Sequence, residues 1–227
     1  MPEESKTERF PYKNPYPQQM KLFRLTPEQI QQSSGTYDLG HTKSLTASMF
    51  YGTLSFAIVS TLAYSIWAFR LVRGEALLFA AIAIVYLGLS GFALGRLLAI
   101  PYSIMRFTGL FALSFLLYAI VWCAFWFGLG GQYQADLFGS AVGLLAMACL
   151  FHRAFGATTG ILASFSILFA FHTLGYYAGE ICYAEVGRKA GRLLWGVCHG
   201  LGFGAGLGAL IHSCQSQLLA NIRKANT

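Results

Sequence analysis

Residues Arg192–Cys214 read RLLWGVCHGLGFGAGLGALIHSC. Gly196, Gly200, Gly204 and Gly208 recur at every fourth position, and Gly202 and Gly206 add a second strip. On an α-helix of 3.6 residues per turn, each set forms one slowly drifting stripe. In water such a helix would lose roughly 1 kcal/mol per glycine relative to alanine. In lipid the backbone amides have no other partner, so the helix holds. The stripe then becomes a groove in which a neighbouring helix packs closely. His199 and His212 share the segment, and glycine packing does not account for them.

The whole chain supports lipid as its solvent. It is 56% hydrophobic and 11% charged, where a soluble domain carries about 25% charged residues. The reading is an integral, multi-pass membrane protein of a cell or organelle inner membrane. The net charge of +7 does not indicate a nucleic-acid partner. The basic residues sit in the N-terminal tail and at the ends of apolar runs, where they orient a membrane protein. The five cysteines form no CxxC pair, so neither a disulfide framework nor a metal site is expected. The first residues lack the apolar core of a signal peptide.

Residues 1–44 are polar and proline-rich, and read as a largely disordered tail. Thr26-Pro27 resembles a helix start, giving one short helix near Thr26–Gln32. From residue 45 to 227, charge divides the chain into six apolar runs, and a span needs about 20 such residues. The expected fold is all-α, a bundle of six transmembrane helices near 47–69, 75–95, 104–128, 134–153, 157–179 and 192–215. Short loops make consecutive helices antiparallel neighbours. Lys43, Arg96, Arg106, Arg153, Arg223 and Lys224 then share a side with the tail. Arg70, Arg73, Arg188, Lys189 and Arg192 lie opposite. The small excess puts both termini in the cytoplasm. Trp122, Trp126, Tyr176 and Tyr177 fall at span ends and read as interfacial belts.

This topology sets the histidines at comparable depths. His172 and His199 each lie about two turns from the outer ends of adjacent helices. His152 and His212 fall near the inner face. Ionisable residues inside a membrane are functional candidates. They could line a path for a small polar or anionic solute and relay a proton. Alternatively, the pairs could ligate haem b. Thirteen residues separate His199 from His212, which leaves their rings about 140° apart around the helix. They would therefore need different partner helices.

Two family resemblances bear on these residues. His199-x-x-Gly202-x-x-x-Gly206 resembles the rhomboid histidine motif, with Ser140 at the outer end of helix four as the implied nucleophile. The flanking residues read Phe138-Gly139-Ser140-Ala141 instead of Gly-x-Ser-Gly, and the expectation is that the protein is not an enzyme. The second resemblance covers more of the chain. Ala83–Phe92 reads AIVYLGLSGF, similar at Tyr86 and Gly88 to a Phe-Tyr-Gly-Gly-x-x-Gln stretch. Phe107–Ala112 reads FTGLFA, similar in outline to a Thr-Phe-Gly-x-Thr-Ala-Phe opening. Gly175-x-x-x-Gly179 closes helix five. Together these resemble the acetate uptake transporters, the succinate/acetate–proton symporters, which also have six helices with both ends inside. The resemblance implies transport of a monocarboxylate such as acetate, with proton coupling and Tyr86 in the pathway.

The expected function is therefore a channel or transporter without a resident cofactor, working as a homo-oligomer. Its path is lined by Tyr51 and Tyr86, with His172 and His199 at an outer vestibule. The alternative is a non-enzymatic subunit of a larger membrane complex, packed through the glycine stripe, with His172, His199, His152 and His212 as the residues that would hold haem.

Overall fold

The computed structural model describes Leu25, residues 43–98 and residues 104–225, with residues 222–225 by backbone alone. Six helices hold nearly all of them: α1 Leu45–Ala68, α2 Glu75–Gly95, α3 Ile104–Gly128, α4 Ala135–Phe155, α5 Ile161–Val186 and α6 Arg188–Ala225. All six are long and apolar enough to cross a membrane. No strand occurs among the described residues. The helix start read at Thr26–Gln32 lies outside them. Leu25 itself is 1% exposed and belongs to the core, so at this residue the tail docks instead of standing in solvent.

Local chemistry sets the ends. The Ser44 hydroxyl accepts the Ala47 amide at 3.2 Å and starts α1, satisfying one of the free amides of a first turn. Gly187, at φ +62°, turns α5 directly into α6, a conformation that glycine adopts without a Cβ clash. The last two helices run longer than the apolar runs suggest. α5 reaches Val186 instead of Gly179, and α6 spans Arg188–Ala225 instead of 192–215. Charges mark where lipid ends, but Glu, Lys and Arg remain good helix formers in water. The 38 residues of α6 rise about 57 Å, well beyond a hydrocarbon layer of about 30 Å.

The helices stand in chain order around a closed ring. Each packs on its predecessor and its successor, and α6 returns to α1. The ring has a loop side, where 69–74, 129–134 and Gly187 lie, and a tail side, where Lys43 and Gly156–Gly160 lie.

Both glycine strips of α6 are used within the chain. A Cβ on Gly200 would stand 2.6 Å from Ala57 Cα, and one on Gly204 would stand 2.8 Å from Phe56 Cβ, both on α1. Gly196 faces Tyr64 and Ser60, and Gly208 faces Ser48 and Met49. On the other side, Gly202 and Gly206 meet Gly175 and Leu168 of α5. The stripe therefore holds the last helix between the first and the fifth, and is not available to another subunit.

Candidate functional site

The tail-side half of the ring is filled. Phe56, Phe111 and Phe203 have no exposed surface. Phe203 packs on Phe56 at 5.1 Å between ring centroids, and Phe115 stacks on Phe111 at 5.8 Å. Above this plug, toward the loop side, the ring encloses a cavity of about 600 Å³, within the range of small-molecule sites. Val72, Gly74 and Glu75 line its mouth, and Tyr86, Phe115, Tyr118 and His199 line its floor. The floor residues Tyr86, Tyr118 and His199 lie ten or eleven residues from the loop-side ends of their helices, about 15 Å of helix rise.

A row of hydrogen bonds crosses this floor. The Ser60 hydroxyl meets the Tyr86 hydroxyl at 2.7 Å. Tyr86 meets His199 Nδ1 at 3.3 Å. His199 Nε2 meets His172 Nε2 at 3.3 Å. His172 Nε2 also meets the Tyr118 hydroxyl at 2.9 Å, and Ser140 lies beside Tyr118. Ser60, Tyr86, Tyr118, Ser140, His172 and His199 lie on α1, α2, α3, α4, α5 and α6 in that order, one from each helix. None is more than 8% exposed.

The row allows two proton arrangements. A neutral imidazole donates through one nitrogen and accepts through the other. If His199 donates its Nε2–H to His172, then His199 Nδ1 accepts from Tyr86 and His172 carries its own proton on Nδ1. If His172 donates instead, its Nδ1 is bare and His199 Nδ1–H donates to the Tyr86 oxygen. Converting the first into the second reverses every donor along the row, and it balances only if one proton leaves His172 Nδ1 and another is taken up at the Ser60 end. That nitrogen is buried and has no hydrogen-bond partner among the described residues. An unsatisfied buried group costs about 1–3 kcal/mol.

The structure brings His172, His199 and Tyr86 together. They lie about four and three turns from the loop-side ends of α5 and α6 for the two histidines, not two turns, because both helices extend into water. Tyr51 does not join them. It sits nine positions before Ser60 on α1, its ring under the Lys43 ammonium at 4.5 Å. That is about 13 Å of rise toward the tail side. The inner histidines also stay apart. His152 Nε2 meets the Ser164 hydroxyl at 3.1 Å, and His212 Nδ1 meets the Lys43 carbonyl at 3.0 Å. The outer rings touch nitrogen to nitrogen, so a haem ligated by both would have to part them. No hydrogen bond joins Ser140 to His199 among the described residues, so the nucleophile–base contact of a serine hydrolase is not made. No group of three or more His, Cys, Asp or Glu poised for a metal occurs among the described residues.

Sequence reasoning missed the cavity wall. Trp122, Trp126 and Tyr176 were expected in an interfacial belt, yet all three line the cavity. Depth along a helix does not separate the two fates, whereas the helix face does. Tyr118, Trp122 and Trp126 recur at every fourth residue, as do Trp195, His199 and Phe203. Each set puts its aromatics in line with a member of the polar row. Cys182 and Cys198 were also missed as neighbours, and their sulfurs lie 3.9 Å apart between α5 and α6.

Compared with protein-family models, curated proteins and solved structures, nothing matches this chain. Function is therefore read from the cavity and its floor.

Proposed function

We propose that the protein is a membrane transporter. Its loop-side cavity receives a small solute, and the row at the floor couples that solute to a proton. The observation that carries this reading is the row itself: a solute touching Tyr86, Tyr118 or His199 acts on a hydrogen-bonded network drawn from five of the six helices. Binding near the middle of the bilayer is the usual arrangement in carriers. Intramembrane ionisable groups mark proton and substrate pathways. The phenylalanine plug below serves as an apolar gate, since such constrictions close by excluding water. With both termini cytoplasmic, the cavity faces outward.

The lining narrows the solute. Among the described residues it includes no Lys or Arg, and Glu75 stands at the mouth. Acetate, which the family resemblance implies, would enter this cavity as the neutral acid, carrying its own proton. The test is uptake of labelled acetate into vesicles holding the purified protein, at two pH values, with His172→Ala and His199→Ala in parallel. Transport predicts uptake above empty vesicles that responds to pH and falls in both variants. Uptake equal to empty vesicles removes acetate as the solute.

A further inference from the structure

The chain has four tryptophans, Trp67, Trp122, Trp126 and Trp195, and all four line the cavity. They form two facing walls. On one side, Trp67 packs against Trp195 at 5.6 Å and against Tyr183 at 5.3 Å. On the other, Trp122 and Trp126 stack at 5.3 Å with planes 8° apart, and Phe79 packs edge-on to Trp122 at 5.5 Å. The ring faces carry the negative lobe of the aromatic quadrupole.

The charges point the same way. Glu75 is the charged residue among the described residues that line the cavity. Its carboxylate accepts the Trp126 indole N–H at 3.0 Å, which ties the negative charge to one of the walls. The Arg192 guanidinium is not among the described residues that line the cavity. It lies over the Trp67 ring at 4.7 Å and donates to the Trp67 carbonyl at 3.0 Å. The protein thus already seats a cation on one of these indoles. A bare metal ion would lack oxygen ligands here, and an anion would meet ring faces and a carboxylate. A cation whose charge is wrapped in apolar groups loses little on leaving water and gains from every ring face.

We infer that the cavity binds a hydrophobic organic cation of the quaternary ammonium class, held between the two tryptophan walls with its charge toward Glu75. This rests on reading the cavity as a solute site and is independent of whether the solute is then carried across.

The four tryptophans report on the site directly, because the chain has no others. The experiment titrates the full chain in lipid nanodiscs and follows tryptophan emission. Three probes are compared: benzyltrimethylammonium, its neutral carbon isostere neopentylbenzene, and acetate. The expected result is saturable binding of the cation, at least about tenfold tighter than the isostere, with acetate at neutral pH, where it is the anion, binding far more weakly than the cation. Glu75→Gln alters an exposed residue and should leave folding intact, as checked by an unchanged melting temperature. It should weaken cation binding roughly fivefold, as expected for a partly screened charge pair, and leave the isostere unaffected. Equal binding of cation and isostere overturns the inference, as does cation binding indifferent to Glu75→Gln. Acetate uptake without cation binding overturns the inference and leaves transport standing. Cation binding without uptake of either probe does the reverse.

Discussion

On the tail side α6 meets α1 through glycine, and on the loop side the same ring of helices is held apart by aromatic side chains. Gly204 and Gly208 lie against Gly52, Ser48 and Met49 with no room for a Cβ, and the space beside them is filled by Phe56 and Phe203. Toward the loop side, α2 and α3 present Phe79, Trp122 and Trp126 across from Trp67 and Trp195, and the space between stays open. Small residues let backbones approach. Indoles stacked on their own wall act as spacers. The difference teaches that one bundle can be sealed at one end and hollow at the other without any change of topology. The polar row lies at the boundary between the two regimes.

Substitutions on either side of that boundary should differ sharply. Gly204→Leu should have the largest effect, because its side chain would enter the backbone of α1. A loss of more than about 3 kcal/mol is expected, beyond ordinary overpacking, read as failure to purify a monodisperse protein. Gly88→Leu is the control, since a Cβ there meets nothing within 4 Å. It should shift stability by less than about 0.5 kcal/mol. Wild-type behaviour in Gly204→Leu would refute the close approach of α1 and α6.

His172→Ala comes next. It strands Tyr118 and His199 and opens a void beside Phe203, whose ring centroid is 4.8 Å away. About 3 kcal/mol should be lost, measured by thermal unfolding in detergent. Tyr86→Phe removes one hydroxyl bonded to both Ser60 and His199. About 1–2 kcal/mol is expected, together with loss of any pH dependence of uptake. An unaltered pH response in Tyr86→Phe would detach this arm of the row from coupling. Apart from the Gly88→Leu control, the smallest effect should come from Trp126→Phe at the mouth. It keeps the wall but frees Glu75, so stability should fall by less than about 1 kcal/mol. The benzyltrimethylammonium affinity should fall less than in Glu75→Gln.

Much of the fold was legible because lipid leaves a strong mark on composition. Apolar runs bounded by Arg70, Arg96 and Arg153 gave α1 to α4 within a few residues. The ends of α5 and α6 were less legible, since Glu180, Glu185 and Arg188 signal water and helix at once. The meeting of His172 and His199 followed from antiparallel geometry and rise per residue. Their partners did not, because Ser60 and Tyr118 come from two other helices whose rotation the sequence leaves open. Tyr51 stands apart from the row for a similar reason. It carries the right chemistry, but it sits on the tail side of the plug. The tryptophan walls were hidden by depth, which an interfacial belt and an inward-facing cage share.

The row can be examined directly by nitrogen NMR of histidine-labelled protein in bilayers, with His172→Ala and His199→Ala for assignment. A buried imidazole pair predicts one protonated and one bare Nε2, joined by a coupling across their hydrogen bond that vanishes in either variant. Two separately hydrated imidazoles with no such coupling would contradict the floor of the cavity, and with it the proton-coupled reading built on it.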